Sequence, residues 1–149
     1  PFGLPMRYAL PAYDGVPRTV RSEEAFVTMA VRACRPGGNI ALILPDGILS
    51  NAKTELLRRW LLAQGYLRAV ISLPVETLVH TGTQVKTSIV YLQRFPEEVK
   101  APQDYEIFMA IVEYVGWDSR RRPTDKNDPR KSWRDGKPSL RAGRHPNQP

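Results

Sequence analysis

Apolar residues recur along the chain with two different periods, and the change from one to the other marks out the elements. Phe26, Ala30 and Cys34 repeat every four residues with Val27 and Val31 beside them, which predicts an amphipathic helix over about 23–35. Ser22 stands where a cap would accept a backbone N–H, and Glu23 and Glu24 sit well against the positive end of the helix dipole. Pro36-Gly37-Gly38 stops that helix, because glycine suits the position just past a helix end. Residues 40–44 are then an unbroken apolar run, the pattern of a strand covered on both faces as in a parallel sheet. Pro45-Asp46-Gly47 ends the run sharply. Ser50 or Asn51 can cap a second helix over 52–64, closed by Gly65. Leu56, Leu57, Trp60 and Leu61 are its expected buried face, with Lys53, Arg58 and Arg59 left in water.

Residues 67–73 form the next strand, stopped by Pro74. The stretch 75–85 reads as a loop without helical period, and 86–93 as a strand with alternating and β-branched residues. A loop, unlike a crossover helix, returns a strand antiparallel to the one before it. The pattern therefore predicts an open α/β sheet, mostly parallel, with an antiparallel strand pair at one end. Tyr105 to Val112 is a further strand candidate. Residues 3–21, with Pro5, Pro11, Gly15 and Pro17, read as an irregular connection whose Tyr8 and Tyr13 pack against the body. Open α/β sheets bind ligands at the carboxyl ends of their strands, so Pro45-Asp46-Gly47 and the loop 75–86 are expected on one working edge.

Composition narrows this picture. A chain of 149 residues suits one domain burying roughly 70% of its unfolded surface. The single cysteine, Cys34, excludes an internal disulfide and suits a reducing compartment; a small core residue is preferred to a nucleophile. The apolar runs are too short to span a bilayer and no signal-peptide pattern is present, so no membrane partner is expected. His80 and His145 are far apart without a Cys or carboxylate cluster, which argues against a metal site. The net charge of +7 is uneven: residues 118–149 hold ten Lys/Arg against four Asp/Glu. Residues 1–117 thus read as a nearly neutral folded body and 118–149 as a basic Pro/Arg-rich tail, either facing nucleic acid or solvated. Such a tail cannot bury enough surface to fold independently. Without an initiating methionine, the chain reads as a piece of something longer.

Five blocks occur in a telling order and spacing: Arg35-Pro36-Gly37-Gly38; Leu44-Pro45-Asp46-Gly47-Ile48-Leu49-Ser50-Asn51; Leu57-Arg58-Arg59-Trp60-Leu61-Leu62; Leu67-Arg68-Ala69-Val70-Ile71-Ser72-Leu73-Pro74; and Thr81-Gly82-Thr83-Gln84-Val85-Lys86-Thr87-Ser88-Ile89-Val90-Tyr91-Leu92. Together they resemble the carboxyl half of the catalytic domain of N6-adenine DNA methyltransferases, above all the modification subunit of type I restriction–modification systems. Ile107-Phe108-Met109-Ala110 and Val115-Gly116-Trp117-Asp118 extend the resemblance to about residues 1–122. It implies a Rossmann-like S-adenosylmethionine-dependent methyltransferase sheet, of which this is the downstream half. The family's motif is (Asn/Asp)-Pro-Pro-(Phe/Tyr), and Pro1 and Phe2 match its last two members. Its glycine-bearing motif for S-adenosylmethionine lies further upstream. Nothing here replaces that motif, since Gly37-Gly38 leads into a strand whereas a cofactor loop follows one. The isolated chain is accordingly expected to be inactive. DNA and the specificity and restriction subunits of a type I system are the implied partners, in the cytoplasm. Loss of the cofactor half would also expose a strand edge around 40–44, inviting self-association.

The resemblance gives the residues roles. The exocyclic N6 of adenine is a poor nucleophile because its lone pair is delocalised into the ring. An enzyme must first extrude the base from the stack, at a cost of about a few kcal/mol. In the family the motif's polar side chain and a backbone carbonyl accept hydrogen bonds from the amino group and stabilise the charge that develops there. The aromatic, here Phe2, stacks on the base, worth roughly 1–3 kcal/mol by analogy with single-strand platforms. Asp46 and Gly47 are candidates for the substrate pocket, although Asp46 reads equally as a turn residue bonded to its own backbone. His80, Thr81, Thr83 and Lys86, with Arg120, Arg121 and Arg122, are candidate DNA contacts. Two other readings stand beside this one: a non-catalytic binding or assembly module that keeps the sheet, and a methyltransferase acting on RNA or protein amides.

Overall fold

The apolar run at 40–44 becomes one edge of a four-stranded sheet. A computed structural model describes residues 2–13, 15–97, 104–113 and 115–122. Pro1 and the tail from 123 lie outside the described residues. The chain runs β1 (Pro5–Ala9), β2 (Pro17–Arg21), α1 (Ser22–Ala33), β3 (Asn39–Pro45), α2 (Asp46–Ser50), a 3-10 turn (Ala52–Thr54), α3 (Glu55–Leu62), β4 (Gly65–Ser72), a 3-10 segment (Val75–Thr81), β5 (Thr87–Arg94) and β6 (Phe108–Ile111). The sheet order is β3-β5-β4-β6. β5 is antiparallel to both neighbours and β4 pairs parallel with β6. β3, β4 and β6 therefore point one way and β5 alone opposes them. The expected antiparallel pair of β4 and β5 is present, and β5 also joins β3 on its other side.

Helices cover one face of this sheet. Val27 of α1, Leu44 of β3, Ile48, Leu57 of α3 and Val90 of β5 form one buried cluster. Val31, Ile40 and Leu92 continue it, with Trp60 and Leu61 packed against both. The opposite face is more open at β3, where Ile43 is 47% exposed, and β6 is exposed on both faces, with Phe108 at 62% and Ile111 at 78%.

Residues 3–21 are not an irregular connection. They form the antiparallel hairpin β1–β2, paired from Pro5↔Arg21 to Ala9↔Pro17. Pro5 and Pro17 each open a strand, where a missing N–H is tolerated, so the prolines do not break the ladder. Leu10 and Val20 of the hairpin pack with Ala25, flanked by Met6, Tyr8 and Tyr13. This second core rotates the buried face of α1 by one residue. Ala25, Val27, Thr28 and Val31 are buried, whereas Phe26 is exposed and Cys34 lies past the helix. Ser22 is the first helical residue and not the cap; the Glu24 carboxylate closes the end by accepting the Arg21 N–H at 3.3 Å.

The expected helix over 52–64 is broken in two. Asn51 Oδ1 accepts the Lys53 N–H at 2.9 Å, which caps the 3-10 turn. Arg58 is not free in water: its Nη1 reaches the carbonyls of Ile48 and Asn51 at 3.1 and 2.7 Å and Thr54 Oγ1 at 2.8 Å. Leu57 is fully buried and Trp60 and Leu61 pack on the core as expected, whereas Leu56, at the rim of that face, is exposed. Gly65 opens β4, where a side chain would run into the Gln93 carbonyl. The 75–85 loop holds a 3-10 segment. With three residues per turn, it has no 3.6-residue signal to find.

Candidate functional site

Register brings the strand ends to one edge. Pro45 ends β3 opposite Thr87, which begins β5; Ser72 at the end of β4 faces Ser88 on one side and Ile111 on the other. Backbone bonds stitch the ends together: Asp46 N–H to the Lys86 carbonyl (3.0 Å), Leu73 N–H to that of Thr87 (2.9 Å), and Val112 N–H to that of Ser72 (2.8 Å). The turn after β3 and the 75–86 loop thus share an edge. Asp46 accepts the Ser88 hydroxyl at 2.9 Å through Oδ1, and its own carbonyl accepts the Ser50 hydroxyl at 2.9 Å. Its carboxylate therefore bonds across strands and not to its own turn. The Thr87 hydroxyl is completely buried at this edge and has no hydrogen-bond partner among the described residues.

A cleft opens at the end of β3. Pro45, Gly47, Ile48, Asn51, Lys53 and Thr54 line one wall, and Arg21, Glu23 and Glu24 from the start of α1 line the other. The amino-terminal segment is tied to this second wall. The Gly3 N–H donates to Glu23 Oε2 at 2.7 Å, and the Ser22 N–H to the Leu4 carbonyl at 2.8 Å. Phe2 is half-buried, and it belongs to none of the buried apolar clusters. Pro1 lies outside the described residues. The hairpin reaches the cleft as well, through the Tyr13 hydroxyl, which donates to the Lys53 carbonyl at 2.9 Å. Burial, and then the nearby Glu24 carboxylate, push the Tyr13 phenol above its usual range against a smaller opposing pull from Arg18.

The second group of candidates lies on the 75–86 loop. His80, Thr81 and Lys86 are exposed and Thr83 is half-buried. The Thr81 hydroxyl donates to the Leu78 carbonyl at 2.7 Å, and Thr83 Oγ1 accepts the Val85 N–H at 3.3 Å. Trp117 docks onto this loop: its Nε1–H donates to the Glu76 carbonyl at 2.6 Å and its ring meets His80 edge-on at 4.8 Å. Beyond it, Asp118 folds the chain back. Oδ1 accepts the N–H groups of Arg120 (2.8 Å) and Arg122 (3.0 Å), and Oδ2 accepts Nε and Nη2 of Arg122 (3.0 and 2.8 Å). Arg120, Arg121 and Arg122 are all exposed, but the Arg122 charge is paired.

The pattern of residues did not disclose the roles of Glu23 and Trp117. Each depends on a bond to a residue 20 or 41 positions away, which no local period records. No group of three metal-ligating side chains converges among the described residues, and none of their helices is long and apolar enough to cross a membrane.

Residues 6–123 match the family of N-6 DNA methylases. The chain belongs to that family. A solved structure from Listeria monocytogenes, a candidate class I S-adenosylmethionine-dependent methyltransferase, matches with a TM-score of 0.53 and 24% identity over 65% of this chain. That likeness concerns the fold, which is the α/β class I methyltransferase architecture with a mixed sheet. This member of the N-6 DNA methylase family spans 28% of the length of that protein. A chain from a structural study of the complex assembly and conformational transition of the type I R-M system is 30% identical over 50% of this chain and 16% of its own, with a TM-score of 0.43. No curated protein matches.

Gly38 and Gly47 flank β3. Gly38 precedes β3, in a turn so tight that a side chain would meet Cys34 Sγ and the Arg35 carbonyl. Gly47, which does follow a strand, lines the cleft with room for a side chain beside it.

Proposed function

We propose that this chain is the downstream portion of the catalytic domain of a DNA methyltransferase. The whole protein transfers the methyl group of S-adenosylmethionine to N6 of adenine, as a modification subunit of a type I restriction–modification system. What supports this above all is where the family's segments meet. In a member of the N-6 DNA methylase family, the segment after Phe2 is bonded to Glu23, which shares a cleft with Gly47, and Asp46 is bonded in turn to the 75–86 loop.

In this reading Phe2 lies against an adenine turned out of the duplex, and Asp46 and Gly47 border the pocket that receives it. His80, Thr81, Thr83 and Lys86 meet the DNA from the loop, joined by Arg120 and Arg121, and the basic tail adds sequence-independent attraction to phosphate. Arg122 serves its turn through Asp118 before it serves DNA. The methyl donor is held by residues outside this chain, so the isolated chain is inactive. Specificity and restriction subunits choose and act on the site, and the protein works in the cytoplasm, where its DNA is.

The full-length protein, given labelled S-adenosylmethionine, is expected to label adenine N6 in unmodified genomic DNA and to leave RNA unlabelled. The 149-residue chain is expected to show no heat of binding to the methyl donor in calorimetry. Labelled RNA, or tight binding of the donor by the isolated chain, would sink the proposal.

A further inference from the structure

We infer that Glu23 is a positioning residue for Phe2, an inference that rests on the methyltransferase reading. Glu23 is a carboxylate only 6% exposed, in the first turn of α1. A buried charge is unfavourable unless hydrogen bonds compensate it. Those of Glu23 point back along the chain: Oε2 accepts the Gly3 N–H at 2.7 Å and the Ser22 hydroxyl at 3.2 Å, while an Arg21 guanidinium nitrogen lies 3.9 Å from Oε1. Bonds from a backbone N–H to a carboxylate are about twice as strong as neutral ones.

A carboxylate that served only the helix dipole would have no need of burial. Glu24, one residue on, closes the helix end from a more exposed position. Glu23 instead holds a residue 20 positions upstream. The Ser22 N–H holds the Leu4 carbonyl beside it, so the segment after Phe2 is clamped to α1 at two points. Between Phe2 and Leu4 the backbone turns through Gly3 at φ 76°, a left-handed conformation that glycine adopts readily. How that turn is held decides where the Phe2 ring lies. Because Glu23 also lines the cleft with Gly47, the clamp fixes the aromatic relative to the turn after β3.

The test uses the full-length protein, labelled S-adenosylmethionine and unmodified genomic DNA. Glu23→Asp keeps the charge but shortens the reach, so kcat should fall roughly ten- to a hundredfold, the loss expected from a misplacement of about 1 Å. KM for the methyl donor should stay at the parent value. Glu23→Gln keeps an oxygen at the same reach and should remain within about threefold of the parent, the difference between a charged and a neutral acceptor. Hydrogen exchange at the Gly3 amide should be slow in the parent and in Glu23→Gln and fast in Glu23→Asp, with the rest of α1 equally protected in all three. Parental kcat in Glu23→Asp would overturn the inference. So would equal loss in both variants with KM raised, because that marks a general defect. If Glu23→Asp does not fold, the parent decides, since fast exchange at Gly3 overturns the clamp. A parent protein that methylates no DNA removes the methyltransferase reading itself, and the inference falls with it, whatever Gly3 shows.

Discussion

Asp118 shows how much a single residue can settle that a run of like residues conceals. Arg120, Arg121 and Arg122 read from the sequence as three equivalent charges, yet only the last turns back on Asp118. The backbone N–H of Arg122 is the main cause that holds the Asp118 carboxyl below its usual range. Desolvation opposes this, and the Arg122 side chain and the Arg120 N–H add to it. The same bonds sustain Arg121 at φ 64°, in the left-handed region where a non-glycine residue is strained. Because the carboxyl is depressed in the folded turn, the turn's stability is fully present above the ordinary aspartate range near about 3.9. It is lost as pH falls through the lower, folded value. An NMR titration should therefore show the Asp118 carboxyl carbon moving below that range, with the Arg122 Nε–H signal broadening together with it. Movement at or above the ordinary range would mean the fold-back is not formed. Asp118 itself stands in a legible motif, but its partners could not be read from the pattern, since they depend on a turn that three consecutive arginines do not encode.

At the scale of elements, the sequence is most legible where apolar residues run unbroken. The runs that became β3, β4 and β5 are apolar on residue types alone, and the loop between β4 and β5 correctly implied their antiparallel pairing. Legibility fails where side chains compete with the expected regular structure. Thr54 and Arg58 bind the carbonyls around Ile48 and Asn51, so a helix with one apparent period is split before Glu55. The hairpin β1–β2 was hidden by prolines that stand at the strand starts, Pro5 and Pro17, and in the turn between them, Pro11. The edge of the buried face of α3 gives a direct comparison. Leu57 is 0% and Leu56 51% exposed, although they are adjacent leucines in one helix. Leu57→Ala should lower the unfolding free energy by about 2–5 kcal/mol, the loss typical of a buried leucine. Leu56→Ala should change it by no more than about 0.5 kcal/mol, as at an open surface. Urea denaturation of the two variants measures both. Similar losses would mean that Leu56 is buried with Leu57, as first expected.

For the molecule as a whole, the order β3-β5-β4-β6 leaves β3 with a neighbour on one side only among the described strands. The outer backbone of β3 is a row of donors and acceptors flanked by Ile43, which is 47% exposed on the face opposite the helices. A long apolar edge of this kind pairs with other chains unless a charge, a proline or a bulge interrupts it. β3 carries none of these before its last residue, Pro45. Across the same open face, Ile43, Ile89 and Ile71 lie opposite one another in register, so a second copy would gain apolar contact as well as ladder bonds. The net charge of +7 opposes association, but the excess lies mainly in residues 118–149 and hardly at all in the body that carries β3. The 149-residue chain is therefore expected to sediment above its monomer mass of 16.9 kDa, increasingly with concentration. Ile43→Lys places a charge beside the edge without touching the helix-covered core, and should return the chain to a monomer with unchanged far-UV circular dichroism. Added salt separates the two forces: screening the tails should strengthen self-association of the parent. A parent chain that stays monomeric at high concentration and high salt would mean that the edge is already protected.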